Sequence, residues 1–179
     1  MTKTYKVGLN TGMIVRNILE SCKTTNDAIS FIKSIPIATT QNIMLADAKG
    51  NLAVVECSPE KVAVRKSDEF LISTNEFILP EMMNEHNNPQ DNWYRSHDRY
   101  ETVHKALKEH MVWDAELVKD IQSGKCGFVC QYPKDMNFDT LWSSIYETTS
   151  LSILRAEGNP SKTKYKEDTR LAWGMNIII

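Results

Sequence analysis

The sequence has little of what builds disordered, fibrous or disulfide-stapled chains. Seven glycines and six prolines in 179 residues fall far below the roughly 25–30% that marks low complexity. No apolar run approaches the about 18 residues of a membrane-spanning helix, and the terminal Ile177-Ile178-Ile179 is far too short. Charge of one sign is also lacking: 21 basic and 23 acidic residues give a net charge of −2. No global field therefore draws nucleic acid or an anionic membrane, and neither is an expected partner. The opening MTKTYKVGLN has no apolar stretch of the about 7–15 residues that a secretory signal carries. A cytoplasmic location and reduced thiols are the expectation.

The four cysteines do not form two CxxC pairs. Cys126-x-x-x-Cys130 has neither a second pair nor an HxxxH beside it, so buried or idle thiols are expected and no metal site is. His86, His97, His104 and His110 form no HExxH and read as solvated helical residues. A phosphate-binding loop, a dinucleotide glycine pattern, a G-x-S-x-G elbow and an EF-hand loop are all missing. No carboxylate pair stands out as an acid–base couple.

What is present is a patterned globular chain. Hydrophobic residues make up 41%, and the length suits one domain spanning 1–179. Residues 13–22 place Ile14, Val15, Ile18, Leu19 and Cys22 on one helical face. Thr24-x-x-Asp27 predicts a capping box before a second helix carrying Ala28, Ile29 and Ile32, which Pro36 stops. Four short strands follow, at Gln41–Ala46, Leu52–Glu56, Lys61–Arg65 and Phe70–Thr74, with an Asp47-Ala48-Lys49-Gly50 turn between the first two. Residues 76–97 read as a long polar loop. Beyond it the pattern predicts a helix with Tyr100, Val103, Leu107 and Met111 on one stripe. A second helix is capped by Asp114 and ends at Ser123-Gly124, and a hairpin runs from Thr140 to Ala156 with Trp142 in the core. Segregated helices and strands predict an α+β fold.

Composition and spacing stop there; resemblance goes further. The run Thr24-Thr25-x-Asp27-Ala28-Ile29, Ile35-Pro36, Asn42-Ile43-Met44-Leu45-Ala46-Asp47-x-x-Gly50-Asn51-Leu52-Ala53-Val54-Val55-Glu56 and Ser73-Thr74-Asn75-Glu76-Phe77 carries it. Ser96-x-x-Arg99-Tyr100 and Thr140-Leu141-Trp142-Ser143-Ser144-Ile145-Tyr146 continue it. In order and spacing these segments resemble the C-terminal two-thirds of the linear-amide C–N hydrolases. Those are N-terminal-nucleophile (Ntn) hydrolases related to penicillin acyltransferase and choloylglycine hydrolase. The resemblance implies a four-layer αββα sandwich, here incomplete. It also implies a cysteine at a mature N-terminus that attacks an amide carbonyl, with its own α-amino group as base, to give a thioester. No cofactor is implied, and the substrate is a small-molecule amide.

Carried over by position, Asn75 matches the asparagine that donates to the oxyanion, and Arg99 the arginine near the nucleophile, with Arg95 as its rival. The structural alternatives are a turn-capping Asn75 and a surface Arg99. Trp93 and Tyr94, in the long loop, are candidates for bordering the substrate pocket. Asp47 and Glu56 read as turn chemistry and a sheet-face charge. The resemblance departs from the family at the nucleophile. Thr2 is followed by Lys3-Thr4-Tyr5-Lys6, unlike the nucleophile strand, and no cysteine is terminal. A truncated or split member is therefore expected, completed by a separate Cys-bearing N-terminal segment or by self-association. The competing expectation is a non-catalytic remnant or interaction domain that keeps the fold.

Overall fold

Side-chain caps open the first two helices of the computed structural model, which describes residues 6–86 and 94–170. Asn10 accepts from the Met13 N–H at 3.0 Å and starts α1 (Thr11–Ser21). Thr24 accepts from the Asp27 N–H at 3.1 Å, while the Asp27 carboxylate accepts from the Thr24 N–H at 3.0 Å. This capping box starts α2 (Thr25–Ser34), and a cap of this kind contributes about 1 kcal/mol. Ala28, Ile29 and Ile32 are buried as the pattern requires. In α1 the buried face is narrower than expected: Ile14 and Ile18 are buried, but Leu19 is 79% exposed.

The backbone divides into two compact units between Tyr100 and Glu101. In the first, β1 (Gln41–Ala46), β2 (Leu52–Cys57) and β3 (Val62–Lys66) form an antiparallel meander in the order β1-β2-β3. The Asp47–Gly50 turn is as expected. Gly50 sits at φ +80, a left-handed value that glycine adopts without strain. Register places Ile43 opposite Val55, Leu45 opposite Ala53 and Val55 opposite Val64. These alternate residues share one face of the sheet. With Cys57 and Val62 they pack against Ile14, Ile18, Ala28, Ile29 and Ile32 of the two helices.

The other face of the sheet is polar where it meets the next segment, and here one expectation fails. Residues 70–74 form no strand. Side chains claim two of their carbonyls and several backbone groups just beyond them. Arg65 donates to the Ile72 carbonyl at 3.0 Å, and Asn42 donates to the Thr74 and Glu76 carbonyls, both at 2.9 Å. Glu56 accepts from the Ile78 and Leu79 N–H groups at 3.1 and 3.2 Å. Side chains of β1, β2 and β3 thus hold this segment, and the Ile72 and Thr74 carbonyls are taken by them rather than by a ladder beside β3. A short helix, α3 (Met83–His86), follows within the long loop.

The second unit takes up the later part of α4 (Ser96–Glu109), then α5 (Ala115–Gln122), β4 (Trp142–Glu147), β5 (Ser152–Glu157) and β6 (Lys166–Glu167). Asp114 caps α5 by accepting from the Leu117 N–H at 2.8 Å. Ala106, Leu117 and Ile121 form a small core with Val103, Leu107 and Val129 against it. The predicted stripe is one residue too long, because Met111 lies beyond α4 and is fully exposed. The hairpin forms as expected, with β6 added antiparallel to β5. Trp142 is not core: it is 52% exposed, with the Arg155 guanidinium 4.3 Å from its ring centroid. Helices and antiparallel sheets together make this an α+β structure. Among the described residues no helix is long and apolar enough to cross a membrane.

Candidate functional site

β2 and β3 supply the foundation of the site. Glu56 is fully buried in β2, with its Oε1 2.9 Å from Arg65 Nε. A buried carboxylate is tolerated only when paired and hydrogen-bonded. Arg65 and the two backbone N–H groups of Ile78 and Leu79 satisfy that demand. Asn42 stands directly across from Glu56 in the β1–β2 register. Together these side chains fix residues 72–79, and with them Asn75, over the polar face of the sheet.

A cavity of about 510 Å³ opens here, bordered by the start of β1, residues 73–75, Phe77, Tyr94 and Arg99. Asn75, Tyr94 and Arg99, three of the four residues singled out from the sequence, are thereby brought together. Trp93, the fourth, lies outside the described residues. Asn75 does not close a strand; its position comes from the clamp just described and from Ser96. The Ser96 hydroxyl, almost wholly buried at the start of α4, accepts from the Asn75 N–H at 3.0 Å. Arg99 donates from Nη2 to the Asn75 Oδ1 at 2.7 Å and to the Ser96 Oγ at 3.3 Å, and from Nε to the Tyr94 carbonyl at 3.0 Å. The planar guanidinium spans all three, which a lysine ammonium could not do in the same geometry. Arg95 pairs instead with Asp98 at 2.6 Å, and it enters α4 at φ +52, a strained backbone value one residue before Ser96.

Sequence reasoning gave no role to Gln41, Asn42, Thr74 or Ser96. The available signal was Gln41-Asn42 at the head of an otherwise apolar strand, where a buried and a half-buried amide need a reason. Among the described residues, three buried side-chain polar atoms have no hydrogen-bond partner: Gln41 Nε2, Asn42 Oδ1 and Thr74 Oγ1. All three residues border this cavity.

The cysteines lie elsewhere. Cys57 faces the helix side of the sheet, and burial pushes its thiol up to about 12. Burial also raises Cys22 and Cys130 above the ordinary thiol range. Raised values favour the neutral thiol, which is a poor nucleophile. Cys126 is exposed in the second unit. Among the described residues, no three His, Cys, Asp or Glu side chains gather as metal ligands.

A family model described as acyl-coenzyme A:6-aminopenicillanic acid acyl-transferase matches residues 1–162. No curated protein matches the chain.

Proposed function

The chain belongs to the acyl-coenzyme A:6-aminopenicillanic acid acyl-transferase family, and from that premise we propose that it carries the oxyanion-binding half of an Ntn-type enzyme acting on linear amide C–N bonds. The sheet backed by α1 and α2 is one α–β half of the αββα sandwich. The thioester-forming cysteine is supplied by another polypeptide segment. The cysteines in hand support this, since three of the four have thiols raised by burial.

In the proposed reaction the thiol proton passes to the α-amino group of that cysteine. The sulfur bonds to the amide carbon, and negative charge collects on the carbonyl oxygen. The Asn75 Nδ2 group donates to that oxygen, while Arg99 holds the amide in the required orientation. Collapse breaks the C–N bond, and the stored proton leaves with the amine. Water then releases an acid in a hydrolase, or a second amine takes the acyl group in an acyltransferase. Tyr94 borders the substrate. The observation that carries the reading is the Arg99–Asn75 bond at the edge of a polar cavity.

The test is turnover of a panel of small acyl amides by the chain co-expressed with an N-terminal-cysteine segment of the same family. Activity is expected only in the combined sample. Asn75→Ala should lower kcat by about 10²–10³, the usual effect of losing one oxyanion donor. A folded, associated assembly that turns over none of the panel would sink the proposal and favour a non-catalytic binding domain.

A further inference from the structure

The three-stranded sheet is open along β1, and its hydrogen-bond phase says which groups are free. The Asp47 N–H donates to the Asn51 carbonyl, where β1 turns into β2. Counting back in steps of two, Leu45, Ile43 and Gln41 turn their backbone groups toward β2, whereas Asn42, Met44 and Ala46 turn theirs away from it. The Ser58 N–H, bonded to the Lys61 carbonyl at the far end of β2, gives the same phase. The outward N–H and C=O groups of Asn42, Met44 and Ala46 have no backbone partner among the described residues. β1 carries neither charge nor proline, the usual guards of an exposed edge. β3, at the other edge, ends in Arg65-Lys66.

α1 lacks cover at the same place. Thr11, Val15 and Leu19 form one i, i+4, i+8 row along it. Thr11 donates to Gln41 at the head of β1, so this row lies on the β1 side of α1. Val15 and Leu19 are nonetheless 38% and 79% exposed. α2 packs against all three strands, and α1 packs against α2. Neighbouring helices lie about 8–10 Å apart and strands about 4.8 Å apart. Two helices therefore cover about four strands, and this sheet has three. We propose that the fourth is an extended, uncharged stretch of the cysteine-bearing segment, added to the β1 edge beneath α1. Its backbone pairs with Asn42, Met44 and Ala46. Every second side chain is apolar, lies beside Ile43 and Leu45, and covers Val15 and Leu19. The alternate side chains lie beside Asn42, on the face of the sheet that carries the cavity. A second copy of this chain does not fit the edge, because α1 overhangs β1 and a two-fold partner would bring its own α1 into the same volume. The identity of the partner rests on the proposed function; the edge itself does not.

Association can be read apart from turnover. The tagged chain is co-expressed with an N-terminal-cysteine segment of the same family, and the bound segment is quantified. Met44→Pro removes an outward N–H and leaves every β1–β2 bond in place. It should weaken association about 10-fold, and Leu19→Glu should weaken it from the helix side. Lys66→Pro, the matching change on the outward side of β3, should leave association unchanged. Amide exchange gives a second reading: the Met44 and Ala46 N–H groups should slow about 10-fold or more in the assembly relative to the chain alone. A segment that does not bind, or binds equally to the Met44 and Lys66 variants without slowing Met44, overturns the proposal. A self-associated chain that Met44→Pro makes monomeric assigns the edge to a second copy and also overturns it. Association through β1 in an assembly that turns over no acyl amide upholds the edge and sinks the catalytic reading. Undiminished association and turnover in Met44→Pro do the reverse.

Discussion

Arg99 Nη2 lies 2.7 Å from Asn75 Oδ1, joining the first turn of α4 to a segment 24 residues earlier. Neither residue is positioned by its own neighbours alone. Asn75 depends on Ser96 for its backbone N–H, and Arg99 depends on the Tyr94 carbonyl for the angle of its guanidinium. The pair is therefore a tertiary product of two loop ends and a helix start.

That dependence separates the two variants kinetically. In the assembled enzyme, Arg99→Lys keeps the charge and loses the fork. It should lower kcat by about 10- to 100-fold, the scale of a small misplacement of a reacting group, with KM moved much less. Steady-state kinetics on the same acyl amide checks this. An unchanged kcat would show that Asn75 does not need Arg99 for its orientation.

The clamp beneath the site is a stability device. Glu56→Gln leaves the Arg65 guanidinium, only 11% exposed, without its counter-charge. Breaking one side of a buried pair costs about 3–5 kcal/mol. Urea unfolding should show that loss, and combining Glu56→Gln with Arg65→Met should recover part of it. A loss below about 1 kcal/mol would mean that residues 72–79 are held mainly by Asn42.

Local signals read correctly wherever one short segment decides its own structure. Thr24-x-x-Asp27, Asp114 and the Asp47–Gly50 turn behave as their spacing implies, because each partner lies within four residues. The alternation through Ile43, Leu45, Ala53 and Val55 also names the buried sheet face. The failures are tertiary. Phe70–Thr74 has strand composition, but its Ile72 and Thr74 carbonyls go to Arg65 and Asn42, which no local pattern announces. Trp142 reads as core by its chemistry, yet it stands half-exposed against Arg155. At the site, resemblance supplied Asn75 and Arg99; the role of Ser96 between them, and of Asn42 below them, needed coordinates.

Asp47 links α2 to the β1–β2 turn and should make stability depend on acid. Its carboxylate accepts from the Thr25 N–H at 3.1 Å, from the Lys49 and Asn51 N–H groups at 3.0 and 3.2 Å, and from the Asn51 side chain. The Thr25 backbone bond leads these in holding the group well below the ordinary aspartate range. A depressed folded value means that the unfolded chain binds more protons in the acid range. The stabilisation is therefore complete above about pH 4, the ordinary aspartate value, and is lost as the pH falls further toward the depressed one. Asp47→Asn should flatten the fall of the urea midpoint below about pH 4. An acid limb of unchanged slope would assign it to other carboxylates.

Cys57 gives the last test, because it separates a buried thiol from a nucleophile. It is fully buried in β2, and its thiol is pushed up to about 12 by that burial, with the neighbouring Glu56 carboxylate adding to the shift. At pH 8 only a minute fraction can be thiolate, and alkylation requires both thiolate and access. In the native chain iodoacetamide should modify exposed Cys126 first. Cys57 should react only as fast as the sheet opens, and its labelling should accelerate with urea as that opening becomes more populated. Mass spectrometry of the labelled peptides resolves the two. Cys57→Ala should also leave turnover by the assembled enzyme unchanged, because the proposed chemistry draws its sulfur from another segment. Native-state labelling of Cys57 at the rate of Cys126, together with lost turnover in Cys57→Ala, would move the nucleophile into this chain and require the acyl group to enter from the helix side of the sheet.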